Sequence, residues 1–281
     1  MAKRKPWYET LFERDYFDYY YVGGPTAMFT DEQRAAIANA QLEFIARALE
    51  LPEGARVFDL CCGWGRHTVR LAQRGYRVTG LDLSRYHLRL AKAEAKRAGV
   101  EVSLLHGDMR EIPRSAGRFD AVINMFTSFG YFDDEADNQR VLDGVARALK
   151  PGGRFLIDTM NLTGLMRVFR DSDCEKRLDG SYTANLRRYD IHRGRSEVEM
   201  LYFGPDGERR EQFHSVRLYS YPELEAMLSK AGLGVERTWG DFDGSDLSRE
   251  SRRMIVLAQR GPRVPSALLR AGAGRGSRRR R

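Results

Sequence analysis

The chain has 281 residues, 42% hydrophobic and 31% charged, with three cysteines and a formal net charge of +8. That length suits one domain with an insertion, and the composition is that of an ordinary soluble protein. No apolar run approaches a membrane span, and Met1-Ala-Lys-Arg-Lys-Pro6 is not followed by the apolar core of a secretory signal, so a cytoplasmic protein with no membrane partner is expected.

Residues 7–22 are rich in aromatics, and Leu11, Phe12, Tyr16, Tyr19 and Tyr20 recur at helical spacing. Core packing is the plainer role for most of these rings. Five tyrosines in so short a segment also suit a lid, because tyrosine joins an apolar body to a polar tip. Gly23-Gly24-Pro25 ends the segment. Thr30-Asp-Glu-Gln33 is a capping box opening a helix to about residue 51, with Ile37, Leu42, Ile45 and Leu49 apolar. Strand and helix then alternate. Strands are expected at 56–60, 76–81, 101–105, 119–124 and 154–159, and helices at 66–74, 84–98 and 134–149. Ser84 caps one helix, Gly75 and Gly99 stop two, and Lys150-Pro-Gly-Gly153 turns into the fifth strand. This spacing predicts an α/β fold with a doubly wound, mostly parallel sheet and right-handed crossovers.

The alternation breaks after the fifth strand. Extended segments at 182–191, 197–203 and 211–219 are separated by His192-Arg-Gly194-Arg and Gly204-Pro-Asp-Gly207, both good turns. They form an antiparallel β insertion. The parallel pattern is read as resuming with a helix at 222–231 and strands near 233–239 and 254–259. The chain thus divides into an N-terminal helical lid (1–54), a core (55–170), the insertion (171–220), the end of the core (221–260) and a basic tail (261–281). Eight arginines between 260 and 281, with no acid among them, account for the whole net charge of +8, so the rest of the chain is neutral. A Gly/Arg/Pro-rich tail is expected to be disordered. A nucleic-acid partner is open only through this tail; a solubilising end without a fixed partner is the equal alternative.

The chemistry gathers at the ends of the predicted strands. Val57-Phe-Asp-Leu-Cys-Cys-Gly-Trp-Gly-Arg-His67 is a strand, a glycine loop and a helix start, the entry to a nucleotide site. Asp59, Asp82, Asp108 and Asn124 each follow or end a strand, on the rim where open α/β sheets bind ligands. Asp82, about twenty residues past the loop, is placed for two ribose hydroxyls. By itself it does not separate a nicotinamide cofactor from other adenosyl ligands. Each Asp alone is equally a turn or helix cap. Cys61, Cys62 and Cys174 have no metal-ligand spacing, so no metal site is expected, and Cys61 and Cys62 read as small packing residues. His87 is expected at a helix surface, and His67 either caps its helix or meets the ligand.

Five ordered stretches resemble the class I S-adenosylmethionine-dependent methyltransferases: Val57-Phe-Asp-Leu-Cys-Cys-Gly-Trp-Gly65, Thr79-Gly-Leu-Asp-Leu-Ser84, His106-Gly-Asp-Met-Arg110, Phe119-Asp-Ala-Val-Ile-Asn124 and Leu149-Lys-Pro-Gly-Gly-Arg154. The resemblance implies a seven-stranded Rossmann-like sheet, the donor S-adenosyl-L-methionine and the product S-adenosyl-L-homocysteine. It implies that Asp59 and the backbone at Cys61, Gly63 and Gly65 hold the methionine part, with Asp59 towards the ammonium. Asp82 takes the ribose and Leu83 lies beside the adenine. Asp108 receives the adenine amino group, Met109 lies on the ring, and Asn124, Met125 and Phe126 line the cleft near the sulfonium. Cys61 stands where the family usually has its first glycine.

Met125-Phe-Thr-Ser-Phe-Gly-Tyr-Phe132, the insertion and the aromatic N-terminal helix together resemble small-molecule N-methyltransferases, such as amino-sugar N,N-dimethyltransferases and sarcosine-forming glycine methyltransferases. Asn-Pro-Pro-Tyr, used on flipped-out bases and glutamine amides, is absent after strand 4. The acceptor is therefore expected to be a small amine or hydroxyl, met by Tyr19, Tyr20, Phe126 and Ser128. Tyr131 is the first candidate for a base and His214 the second, against a plain reading of His214 as a strand residue facing solvent. The loop Gly240-Asp-Phe-Asp-Gly-Ser-Asp246 either offers carboxylates to a cationic substrate or is a solvated turn. The alternatives are an RNA or protein methyltransferase guided by the tail and a non-catalytic cofactor-binding protein. The sequence does not fix the oligomeric state.

Overall fold

The structure, a computed structural model, describes residues 6–12, 31–177 and 180–261. Tyr16, Tyr19, Tyr20 and Tyr21, the turn at 23–25, Thr30 of the capping box and nearly all of the basic tail lie outside the described residues. The elements are α1 (Trp7–Thr10), α2 (Asp31–Leu49), β1 (Arg56–Leu60), α3 (Arg66–Gln73), β2 (Arg77–Asp82), α4 (Arg85–Arg97), β3 (Ser103–His106), β4 (Phe119–Asn124), α5 (Glu135–Ala148) and β5 (Leu149–Met160). They continue with α6 (Leu162–Arg167), β6 (Ser172–Lys176), β7 (Tyr182–Asp190), β8 (Arg195–Phe203), β9 (Arg209–Arg217), α7 (Tyr221–Lys230), β10 (Leu233–Trp239) and β11 (Arg253–Arg260).

Seven strands form one sheet in the order β10-β11-β5-β4-β1-β2-β3. Strands β1 to β5 pair in parallel. From β1 the chain winds outward through β2 and β3, then returns to place β4 on the other side of β1. The carboxyl ends of β1 and β4 therefore open a crevice where the winding direction switches. Both faces of the sheet are covered. Val57, Ala121, Ile123, Leu156, Ile255 and Leu257 pack on the side of α2 and α3. Phe58, Val122, Phe155, Ile157, Met254 and Val256 pack on the opposite side with α5 and α7. Strands buried on both faces read as near-continuous apolar runs.

That pattern hides one feature. The parallel arrangement expected to resume at the C-terminal end is broken by β11, which runs antiparallel to β5 and to β10. A doubly buried strand is apolar throughout whichever way it runs, so composition carries no sign of direction.

The insertion is a second, antiparallel sheet in the order β6-β7-β8-β9. Its first strand, β6, went unexpected because Ser-Asp-Cys-Glu-Lys has no apolar alternation, and it is exposed along most of its length. The short α6, capped by the Asn161 side chain on the Thr163 N–H, was missed for the same lack of pattern. Gly130 joins the two sheets: its carbonyl accepts the Arg217 N–H at 2.8 Å. Its φ of +89° suits glycine, and a Cβ there would stand 2.3 Å from the Arg217 carbonyl oxygen.

Candidate active site

The loop between β1 and α3 is built by residues that tolerate positive φ. Cys61 has φ +64°, Gly63 +54° and Gly65 +85°, so the cysteine in the usual glycine position adopts a glycine-like backbone. Cys62 is buried and packs onto bare Gly80, where a Cβ would meet its sulfur at 2.7 Å. The Cys61 sulfur lies 3.5 Å from that of Met109. Burial, and the charges of Asp82, Asp59 and Asp108, push the Cys61 thiol well above its ordinary range. It stays protonated, as a packing residue rather than a nucleophile.

Asp82 organises the loop. One carboxylate oxygen accepts the Gly63 N–H and the other the Ser84 N–H, both at 2.8 Å. Each oxygen has a second lone pair for an outside donor. Because the Gly63 N–H is already committed to Asp82, it is not held out to a phosphate, the reverse of what a dinucleotide loop needs. Asp59 is buried and accepts the Thr68 hydroxyl at 2.6 Å. Burial first, and repulsion from Asp82, push its pKa up to about 7 against the opposing hydrogen bond from Thr68.

Asp108 does cap the turn that follows it, accepting the Arg110 N–H at 2.8 Å, and the Arg110 guanidinium forks its carboxylate at 2.6–3.1 Å. Its charge is thereby largely neutralised before any ligand arrives.

These side chains meet in one cavity of about 350 Å³ at the carboxyl ends of β1, β2 and β4. Asp59, Cys61, Gly63, Asp82, Leu83, Asp108, Met109 and Met125 line it, and so do Phe126, Ser128, Tyr131 and His214. Two expected site residues do not. Asn124 is buried behind the wall, its amide donating to the Leu60 carbonyl at 3.1 Å and bracing β4 against β1. Gly65 starts α3 instead, with a Cβ excluded by Ala91 at 3.0 Å.

The histidine assignments also change. His87 is buried on the cavity wall, edge-on to Trp64 at 5.8 Å, not on the surface. It heads the inward stripe His87, Ala91, Ala95 of α4, whose small residues let the glycine loop pack close and leave little apolar signal. His67 is no cap; its Nε2 is 3.2 Å from Gln41 Oε1, and the ring lines the cavity. His214 turns inward from β9 beside Val216 rather than facing solvent. Burial lowers it to about 4, so the ring is neutral at pH 7. The 240–246 loop is absent from the cavity lining: Phe242 packs edge-on against Phe44 at 5.6 Å.

Aromatic rings form much of the rest of the cavity wall. Trp7 meets Tyr131 edge-on at 4.9 Å and His214 at 6.3 Å, and Phe12 stacks on Tyr131 at 5.9 Å. Residues the sequence reading did not single out complete the lining, among them Trp64, Arg66, Thr127 and Arg253. Arg253 carried no signal at all, being one of two arginines ahead of an apolar strand. Among the described residues, no group of His, Cys, Asp and Glu is arranged to hold a metal ion, and no helix is long and apolar enough to cross a membrane.

Residues 57–153 match the family model described as a methyltransferase domain. A Bacillus subtilis (strain 168) protein, YqeM, whose name assigns it provisionally to the methyltransferases, is 33% identical over 77% of this chain and 88% of its own. The dTDP-3-amino-3,6-dideoxy-alpha-D-glucopyranose N,N-dimethyltransferase of Streptomyces fradiae is 31% identical over 70% of this chain and 76% of its own. Among solved structures, an S-adenosylmethionine-dependent methyltransferase from Clostridium acetobutylicum ATCC 824 superimposes with a TM-score of 0.72. It covers 80% of this chain and 92% of its own at 20% identity, a likeness of fold.

Proposed function

The chain belongs to the class I S-adenosylmethionine-dependent methyltransferases, and on that premise we propose that it methylates an amine or hydroxyl of a small molecule held between Tyr131, His214 and the aromatic turn of Trp7 and Phe12. The enzyme is a methyltransferase and its cofactor is S-adenosyl-L-methionine. The observation that carries the acceptor reading is the cavity itself. Asp59, Asp82 and Asp108 line it together with a wall of aromatic rings and the neutral imidazoles of His87 and His214, within about 350 Å³, the scale of small-ligand sites.

The donor set fits the cofactor. Asp82 would hold the ribose hydroxyls, Asp59 the ammonium end, and Leu83 and Met109 the adenine, whereas a pyrophosphate would find no spare N–H at Gly63. Bound S-adenosyl-L-methionine supplies a methyl group that is already strongly electrophilic, so the chain's task is alignment and exclusion of water. Tyr131 and the N-terminal rings orient the acceptor. His214 lines the same cavity as a neutral hydrogen-bond acceptor; burial lowers it to about 4, which makes it a weak base for the proton that an amine or hydroxyl must lose. An acceptor panel read by release of S-adenosyl-L-homocysteine tests this: small amines or alcohols are expected to turn over, and activity confined to RNA or protein would overturn the reading. Loss of turnover on the true acceptor when residues 262–281 are removed would count against it as well.

Asp59 gives a second expected result. Its carboxyl is half protonated near pH 7 in the free site, whereas an ammonium favours the ionised form. Cofactor binding below pH 7 must therefore release a proton, and affinity should fall as the pH drops from about 7.5 to 5.5. Titration calorimetry in buffers of different ionisation enthalpy measures both. Equal affinity across that window, with no proton released, would remove Asp59 from the ammonium site.

A further inference from the structure

We propose that Arg253, at the start of β11, is a positioning residue for methyl transfer: clasped to Asp158, it holds the Phe126–Thr127 turn of the cavity wall in a backbone conformation the turn would not keep unaided. The role rests on the methyl-transfer reading, but the geometry stands without it. Phe126 and Thr127 have φ of +63° and +58°. Two successive non-glycine residues in the left-handed region are strained, the β-branched threonine most of all. Glycines would relieve the strain; with phenylalanine and threonine in place, the turn has to be held from outside. All four residues from Met125 to Ser128 line the cavity, and Phe126 is 46% exposed.

The restraint comes from Asp158, on β5, whose side chain is wholly buried. Its carboxylate accepts the Phe126 N–H at 2.8 Å, and its main-chain carbonyl accepts the Thr127 N–H at 2.9 Å. Arg253 closes the device: Nε and Nη2 both donate to the Asp158 carboxylate, and Nη2 reaches the Thr127 hydroxyl at 3.3 Å. The guanidinium also lies 5.7 Å from the centre of the Phe126 ring and 5.5 Å from that of Phe242. Arg253 thus neutralises the buried acid, grips the turn through its hydroxyl and supports its ring, which the Arg66 guanidinium also approaches at 5.1 Å. Without it the carboxyl would be driven to take up a proton and would become a weaker acceptor for the Phe126 N–H. Arg253 also lines the cavity, so the latch stands beside the reacting groups rather than behind them.

The test uses Arg253→Lys, which keeps a cation beside Asp158 and so keeps the fold, together with Arg253→Gln. Amide hydrogen exchange in the free protein should quicken roughly tenfold at Phe126 and Thr127 while Val122 and Ile123 on β4 stay unchanged. Turnover on an acceptor found by the panel should fall roughly tenfold with cofactor KM within about threefold. Adding Thr127→Gly to the lysine variant should restore most of that turnover, because glycine holds the turn without the latch. Unchanged exchange at the two amides in both variants overturns the proposal and requires no acceptor. Quickened exchange with full turnover, or failure of the glycine to restore it, reduces Arg253 to a stabilising residue and overturns its role in positioning. Failure of the methyl-transfer reading would show separately, as no turnover by the unsubstituted enzyme.

Discussion

Replacing Asp82 by alanine is expected to weaken binding of S-adenosyl-L-methionine by two orders of magnitude or more while leaving the fold intact. The carboxylate already accepts the Gly63 and Ser84 N–H groups, one on each oxygen. On the reading proposed above, the two remaining lone pairs take the ribose hydroxyls. Hydrogen bonds to a charged acceptor contribute about 1.5–3 kcal/mol each, so losing two costs at least ~3 kcal/mol, or about a hundredfold in Kd. The true cost is greater, because the same substitution frees the Gly63 N–H and slackens the loop beneath the methionine part. Asp108→Ala should do far less, since the Arg110 guanidinium already occupies that carboxylate. Titration calorimetry with a parallel melting curve separates the cases. Undiminished binding by the Asp82 variant, or a larger loss in the Asp108 variant, would sink the assignment.

The contrast between these two acids shows where the sequence was legible. Spacing identified both as carboxylates at strand ends, and the order Asp59, Asp82, Asp108 together with the resemblance of five stretches separated a cationic adenosyl ligand from a dinucleotide. It did not show that Arg110 would fold back on Asp108, since a neighbour two residues along turns either way. The parallel core was legible for a similar local reason: each strand, its glycine-rich turn and its helix lie within about thirty residues. Features made by distant segments were not. Arg253 meets Asp158 across 95 residues of chain, and nothing near either residue announces the other. His87 was misplaced because its buried stripe is completed by alanines, whose weak apolarity gives helical periodicity little to register. His214 was a candidate on position, but its orientation depends on which face of the insertion sheet meets the core, and an alternating strand leaves that open.

Arg195 is a buried tie in that docking, and replacing it with methionine should separate cofactor binding from turnover. The side chain is 2% exposed. Its guanidinium donates to the Phe132 carbonyl at 2.9 Å, the Tyr131 carbonyl at 3.2 Å, and the Ser215 carbonyl and hydroxyl at 2.6 and 2.8 Å. One buried cation thus fastens β8 and, through Ser215 beside His214, β9 of the insertion to the loop carrying Tyr131. Methionine fills much the same volume but takes the guanidinium from the Tyr131 and Ser215 carbonyls in a dry interface, while the Phe132 carbonyl keeps the Asn138 amide, costing about 3–5 kcal/mol. At roughly 2–4 °C per kcal/mol for a chain of this size, melting should drop by about 10 °C. The consequence for function is more selective. The groups released belong to the acceptor wall, whereas Asp59, Asp82 and the glycine loop are held by β1, β2 and their own hydrogen bonds. Below the new melting point, S-adenosyl-L-homocysteine should bind the variant within a few-fold of normal while turnover falls at least tenfold, the inverse of Asp82→Ala. Equal losses of cofactor affinity and turnover would show that the cofactor groups and the acceptor wall are not held independently. An unchanged melting temperature would show that Arg195 does not secure the insertion.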